Sequence, residues 1–169
     1  MQDDLAIIRK VIDEHESIRR HVKLVGDSIS DQEALPGLER VRADWVPGRL
    51  GTLAEKEDKL QQAIGFLDEG LQNHFAYEEK VLAPLLGELF MRALVLDHQE
   101  IRKEIDAAKS IVTEAKLEGL SREELLNKES HIQQVIKNMC YLIEEHAYKE
   151  ETILEMLQKV LDKKAKDTS

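Results

Sequence analysis

The sequence predicts an all-α protein that folds as an antiparallel, up-down-up-down four-helix bundle. Three observations support this fold class. Apolar residues recur at alternating spacings of three and four in four separate segments, as in helices that pack in a bundle. The chain has only 3 Pro and 8 Gly in 169 residues, and its 4% aromatic content is low for a β-sandwich. A chain of this length fits one domain, so residues 1–169 are expected to form a single bundle.

The four apolar stripes define the predicted helices, which run at roughly 3–25, 52–82, 90–118 and 122–163. Glycine often closes a helix because it adopts the left-handed conformation without steric cost, and Gly26 and Gly119 are predicted to end the first and third helices in this way. Residues 27–51 are predicted to form a longer connection, with a short helix around 38–45. A turn is expected near Gly87.

The predicted helix starts carry capping signals. Thr52 with Glu55, and Ser121 with Glu124, match the capping box, in which two side chains bind free amides at a helix start. The fourth helix could begin at Ser121 or restart at Ser130, and the sequence does not decide between them. The prolines are expected outside helix interiors because proline has no amide hydrogen to donate. They are Pro36, Pro47 and Pro84.

The composition argues against several classes of partner. A formal net charge of -10 repels phosphate backbones and anionic lipid headgroups, so neither nucleic acid nor a membrane surface is an expected partner. The first residues lack the pattern of a signal peptide, and no run approaches ~18 apolar residues. The single cysteine, Cys140, excludes an intramolecular disulfide and a CxxC site. A cytoplasmic protein is expected.

The two halves of the sequence repeat each other. Residues 14–20 parallel residues 97–103, and each segment has a histidine in its second position. Residues 74–82 parallel residues 146–154, and each segment begins with the pattern HxxxEE. Two similar helical hairpins should therefore pack about a pseudo-twofold axis, which brings two similar half-sites face to face. The repeat predicts a dinuclear centre.

Six polar residues occupy stripe positions where the core of a bundle favours Leu or Ile. Burying a carboxylate without compensation is costly, so two in one core require a cation, and a pair of metal ions is the simplest source. Imidazole and carboxylate ligands together suit iron or manganese, whereas structural zinc needs only about four ligands. The candidate metal ligands are His15, His74, Glu78, His98, His146 and Glu150.

Helical spacing selects among neighbouring acids and histidines. The first Glu of each HxxxEE pattern shares a helix face with the His, whereas the second is rotated by a further ~100°. Glu78 and Glu150 are therefore the preferred ligands, with Glu151 as the reserve. His21 is rotated away from this face, and His131 lies ~22 Å along its helix from the site, so both are expected at the surface.

Each of these residues, taken singly, has a simpler explanation than a metal centre. A single histidine on an apolar stripe is more often a hydrogen-bonded core residue, and one HxxxE pair is often surface pairing. Six such residues, with one group on each helix and a duplicated pattern, make coincidence a poor explanation. Ferritin-like di-iron bundles place a Glu three residues before each ligand His. Apolar residues stand at those positions here, namely Ile12, Leu71, Val95 and Ile143.

The order His, HxxxE, His, HxxxE, with one group on each helix, resembles the hemerythrin-like family of HHE cation-binding domains over nearly the whole chain. The resemblance implies a non-haem centre of two Fe ions, bridged by an oxo or hydroxo group and two carboxylates. Oxygen-carrying members have a further ligand His where Arg102 stands, and HxxxxD on the fourth helix, for which Glu151 is the nearer counterpart. The set of four His and two Glu is most similar to the di-iron proteins of the iron–sulfur cluster repair type.

The expected function is therefore that of a non-enzymatic protein which binds or senses oxygen, or a related small ligand such as nitric oxide or peroxide. The expected partner is a small diatomic ligand, and the sequence does not identify a protein partner. One alternative is a di-iron redox enzyme that reduces nitric oxide or peroxide, or a protein that donates iron in cluster repair. Another is a helical interaction module with a structural metal.

Overall fold

The computed structural model describes the backbone of residues 2–43, 50–114 and 120–167, and the side chains of residues 3–29, 58–114, 120–121, 123–124 and 126–167. The described backbone forms four helices: α1 Gln2–Ala43, α2 Leu50–Val81, α3 Ala83–Glu114 and α4 Arg122–Asp167. Each helix packs against two others, so that α1 and α3 each lie between α2 and α4. The predicted four-helix bundle is confirmed.

The buried apolar side chains form two clusters at different heights in the bundle. The large cluster comes from residues 18–29 of α1, 60–75 of α2, 101–112 of α3 and 132–143 of α4. The small cluster joins the start of α1, the turn after α2, the start of α3 and the second half of α4. It consists of Ile8, Val11, Leu82, Met91, Leu94 and Leu154. The starts of α1 and α3 thus lie at the same end of the bundle as the ends of α2 and α4, so successive helices run in opposite directions.

The first helix is longer than the sequence predicted. α1 passes through Gly26 without interruption and continues to Ala43, so the prediction that Gly26 ends the helix was wrong. The buried residues Val25 and Ile29 continue the apolar stripe across this glycine. Burial of their side chains offsets the roughly 1 kcal/mol that glycine costs in a helix interior. Packing therefore overrides the local stop signal.

The connection predicted at residues 27–51 is also shorter than expected. Backbone as far as Ala43 belongs to α1, and the next helix begins at Leu50. Pro36 therefore lies within α1, contrary to the prediction that it stands outside a helix. The start of α2 at Leu50 places Thr52 already inside the helix. Pro47, Gly119 and the side chains of Thr52 and Glu55 lie outside the described residues.

The turn between α2 and α3 is built on Leu82. The amides of Leu85 and Leu86 donate to the Leu82 carbonyl at 3.0 and 2.9 Å, and the Leu82 side chain is fully buried. Pro84 lies in the first turn of α3, where its missing amide hydrogen costs nothing. Gly87 then interrupts the helix with φ 76° and ψ 168°, a conformation that is essentially restricted to glycine. The turn predicted near Gly87 is confirmed.

The start of α4 settles the choice between Ser121 and Ser130. The helix begins at Arg122 and runs without a break to Asp167. The Ser121 amide donates to Glu124 Oε2 at 2.9 Å, and the Glu124 amide donates to Ser121 Oγ at 3.3 Å. This is the predicted capping box.

No helix that the structure describes combines the length and the apolar character needed to cross a membrane.

Replacing Gly87 by alanine is expected to destabilise the protein, although no neighbouring atom blocks the added Cβ. The cost is conformational, since a non-glycine residue at this φ and ψ is strained by about 1–3 kcal/mol. Gly65 is a matched control because its Cβ would also meet open space but its backbone is helical. Gly65→Ala is expected to stabilise by about 0.5–1 kcal/mol. Urea unfolding measures both, and equal effects of the two substitutions would contradict this account.

Candidate metal centre

The six residues selected from the sequence lie together inside the bundle. Among the side chains that the structure describes, they are the polar or charged ones that are buried. His15, Glu78, His98 and Glu150 are 0% exposed, and His74 and His146 are each 4% exposed. They form one polar layer between the large and the small apolar clusters. Each helix contributes to this layer at the height where its apolar stripe is interrupted.

Glu78 makes contacts with histidines from both halves of the repeat. Its Oε1 lies 3.3 Å from His15 Nε2 and 2.5 Å from His74 Nε2. Its Oε2 lies 3.2 Å from His98 Nε2. One carboxylate oxygen therefore faces the α1–α2 half, and the other faces the α3–α4 half.

Glu150 has a similar position on the opposite side of the layer. Its Oε2 lies 3.5 Å from His15 Nε2 and 3.4 Å from His146 Nε2. Two groups of ligand atoms result, within each of which all atoms lie within 4.8 Å of one another. The first contains His15, His74, Glu78 and Glu150, and the second contains Glu78, His98 and His146. Both groups could hold a metal ion, and Glu78 belongs to both.

Each of the four histidines directs Nε2 into the layer and Nδ1 outward. The outward Nδ1 faces a carboxylate from an adjacent helix. His15 Nδ1 lies 3.2 Å from Glu151 Oε1, and His98 Nδ1 lies 2.8 Å from Glu79 Oε1. His74 Nδ1 lies 2.7 Å from Glu14 Oε2. His146 Nδ1 lies 3.6 Å from Asp97 Oδ2. Every inner nitrogen is therefore Nε2, and an acid stands behind each imidazole ring.

This outer set of acids was not recognised from the sequence as a group. The sequence predicts no role for Glu14 and Asp97, although each directly precedes a candidate histidine. Helical spacing predicts Glu151 as the reserve ligand, but its carboxylate accepts two 2.7 Å hydrogen bonds from Arg19. The repeat was the signal that could have revealed them, because the acids recur at matching positions in both halves.

The remaining histidines lie at the surface, as predicted. His21 is exposed, and its Nδ1 donates to the Ser17 carbonyl of its own helix at 2.8 Å. His131 is exposed near the start of α4.

Arg102 points away from the buried donor atoms, since its Nε donates to Gln72 at 3.1 Å and its Nη2 lies 3.4 Å from Glu79.

The profile of the hemerythrin HHE cation-binding domain matches residues 6–128, which is more than half of the chain. The chain belongs to the hemerythrin HHE family. The matched segment contains the candidate ligands of α1, α2 and α3, whereas His146 and Glu150 of α4 lie beyond it. Neither the curated proteins nor the solved structures gave a match. Family membership implies cation binding, and the buried His and Glu groups could provide it.

The inner atoms of this hemerythrin domain are the ones that a cation would satisfy. Within the described part of the chain, several buried side-chain atoms have close ionic neighbours at most and no partner in hydrogen-bond geometry, and all of them belong to five of the six candidate ligands. The inward-facing ones are Nε2 of His74, His98 and His146, Oε2 of Glu78, and both carboxylate oxygens of Glu150. A buried polar group without a partner costs about 1–3 kcal/mol. The donor set therefore fits metal ions of the kind that imidazole and carboxylate bind.

The buried residues of the layer differ in the direction in which their surroundings shift the pKa. Burial lowers the pKa of His15, but the close carboxylates of Glu150 and Glu78 outweigh burial and raise it to about 9. Burial raises the pKa of Glu78, but the close imidazoles of His15, His74 and His98 bring it well below its usual value. Burial, with the nearby His98 adding to it, lowers the pKa of His146 to about 4. Because metal ligands must be deprotonated, a bound ion has to displace the proton of His15.

Metal binding is expected to raise the melting temperature of the protein because it satisfies buried groups that have no other partner. Ferrous iron at about 100 times its dissociation constant, added without oxygen, should stabilise the fold by about 2.7 kcal/mol. For a chain of this size the melting temperature should then rise by about 5–10 °C, and a chelator should reverse the rise. Circular dichroism measures the transition.

Two variants control this experiment. Glu78→Ala should lose the metal-dependent rise, because Glu78 belongs to both groups of ligand atoms. His131→Ala should keep it, because His131 is exposed and lies away from the layer. A melting temperature that does not respond to ferrous iron, manganese or zinc would contradict a metal centre at this layer.

Proposed function

We propose that this hemerythrin-family protein binds two iron ions with an oxo or hydroxo bridge, and that the pair binds or senses a small ligand such as oxygen, nitric oxide or peroxide. The observation that carries the proposal is the set of six buried donors, in which both glutamates contact histidines of both halves. The proposed ligands are His15, His74, Glu78, His98, His146 and Glu150.

The arrangement of Glu78 supports two ions rather than one. Its two oxygens face different pairs of helices, as expected for a carboxylate that spans two metals. Glu150 lies between His15 and His146, which also belong to different halves. Two octahedral ions require more ligand positions than four imidazoles and two bridging carboxylates supply. Open positions would remain for a bridging oxygen atom and an external ligand.

A di-iron centre supplies a binding place for diatomic ligands and a change of oxidation state that can report or reduce them. The chain itself shields the site, because apolar clusters lie above and below the polar layer. A groove of about 420 Å³ between α1 and α2 is lined by Glu14 and His74 but by none of the other five donors. The six donors are at most 4% exposed, which favours a small external ligand.

One observation bears on the class of function within the family. The position where oxygen carriers have a further ligand histidine is occupied by Arg102, whose guanidinium is engaged by Gln72 and Glu79. The proposed centre therefore has four histidines, as in the cluster repair type that the sequence resembles. Sensing, or redox turnover of nitric oxide or peroxide, is favoured over bulk oxygen carriage.

The test is metal analysis together with absorption spectra of the reduced protein before and after exposure to oxygen or nitric oxide. About two iron ions per chain and a spectral change on exposure would support the proposal. Less than about two ions per chain would overturn it. Unchanged spectra with full metal occupancy would instead indicate a structural metal. Steady turnover with an electron donor would identify a redox enzyme.

Glu150→Ala and Glu151→Ala form a matched pair of variants, since the two acids are adjacent on α4. Glu150 is fully buried among the inner atoms, so its loss is expected to remove iron from at least one position. Glu151 faces His15 Nδ1 and Arg19, so its loss should weaken iron binding by about 10–100-fold without abolishing it. Iron content by elemental analysis separates the two results. Loss of iron from Glu151→Ala alone would show that the acids are assigned in the wrong order.

A further inference from the structure

The two halves of the repeat differ at one outer acid. Glu14 and Asp97 occupy equivalent positions, and each faces the histidine of the HxxxE pair on the next helix. Glu14 Oε2 reaches His74 Nδ1 at 2.7 Å, which is a strong hydrogen bond. Aspartate is shorter by one methylene, and Asp97 Oδ2 stops at 3.6 Å from His146 Nδ1. Nδ1 of His146 has no hydrogen-bond partner among the described residues.

The other three outer contacts are all shorter than the one at His146. Besides the contact of Glu14, those of Glu151 and Glu79 with His15 and His98 measure 3.2 and 2.8 Å. Glu151 is itself held by Arg19 through two hydrogen bonds of 2.7 Å. The α1–α2 half thus has both of its imidazole rings fixed from behind. The α3–α4 half has only one ring fixed by an acid.

Within the α3–α4 half, His98 and His146 are not held equally. The Phe75 ring stacks on His98 with centroids 4.0 Å apart and an interplanar angle of 13°. The same ring meets His146 edge-on, with centroids 5.7 Å apart. His98 therefore has both an acid and an aromatic face to fix its orientation. His146 is the ring with the least support.

The donor atoms inside the layer also favour the α1–α2 half. The group around His15 and His74 includes both glutamates, whereas the group around His98 and His146 includes only Glu78. The half with the better-supported rings is therefore also the half in which four donors rather than three lie within 4.8 Å of one another, although Glu150 Oε2 also lies 3.4 Å from His146 Nε2. The two observations are independent, since one concerns Nδ1 atoms and the other concerns inner atoms.

We propose that the two metal positions bind with unequal affinity, the α1–α2 position being the tight one, and that Asp97 is the positioning residue that weakens the α3–α4 position through His146. This inference rests on the proposed dinuclear centre. An acid behind a ligating imidazole fixes the ring and makes it a better ligand, and its loss typically costs 10–100-fold in metal affinity. Because Asp97 is one methylene shorter than Glu14, the His146 ring lacks this support.

A chain that takes up metal would therefore load in order. The first ion would occupy the position of His15 and His74, and the second would complete the pair at His98 and His146. At limiting metal the chain would hold one ion rather than a mixture of empty and doubly loaded molecules. The second ion would also be the first to leave when metal is withdrawn.

Reciprocal substitutions at the two equivalent acids test the proposal, with cobalt(II) as the probe because its absorption bands report its ligands directly. The full-length wild-type chain, titrated without oxygen, is expected to show two steps with separate dissociation constants. Asp97→Glu restores the missing methylene and should tighten the weaker step by about 10–100-fold, leaving the tighter step unchanged. Glu14→Asp should weaken the tighter step by a similar factor. Both positions are partly exposed, at 36% and 34% of the side chain.

Substitution of one histidine at a time shows which step of the cobalt titration belongs to which pair of helices. His146→Ala should abolish the weaker step alone, whereas His74→Ala should abolish the tighter one. Two steps of equal affinity in the wild type would overturn the inference while leaving the dinuclear centre intact. An unchanged weaker step in Asp97→Glu would also overturn it, provided that circular dichroism shows a folded bundle. Uptake of fewer than two ions by the wild type would instead mean that the proposed dinuclear centre is wrong.

Discussion

The burial of two carboxylates at the centre of the bundle is the constraint on which the rest of this structure depends. Glu78 and Glu150 are 0% exposed, and transfer of such groups out of water costs several kcal/mol each unless positive charge compensates it. Every helix contributes one histidine directed at them. The apolar core is accordingly split into two clusters, one on each side of a polar layer.

The fold and the inner layer could be predicted because both follow from helical periodicity. Side chains on the apolar stripe of a helix face the core of the bundle. A His or Glu at a stripe position is therefore buried together with its apolar neighbours. The duplication of the pattern also predicted contacts between halves, and Glu78 indeed contacts histidines of both. The end of α1 was predicted wrongly because the glycine signal at Gly26 is local, whereas the packing of Val25 and Ile29 is not.

The outer acids could not be identified in the same way, because they lie off the stripe and look like ordinary surface residues. Glu14, Glu79, Glu151 and Asp97 are each next to an inner residue in sequence, yet each acts on a histidine of a different helix. Only the positions of neighbouring helices show which nitrogen an acid meets. The difference between 2.7 and 3.6 Å at Glu14 and Asp97 likewise depends on backbone placement as well as on side-chain length.

The division of the core has a consequence for local stability. Among the described side chains, the small cluster contains six buried apolar residues and the large cluster contains seventeen. Sub-global opening costs least where the fewest apolar groups are packed, so of the two described clusters the one at the Leu82 turn is expected to open at the lower free energy. Backbone amides at that end should exchange with solvent first. Opening there would uncover the donor atoms from one side while the larger cluster stays packed, so exchange of ions would not require global unfolding.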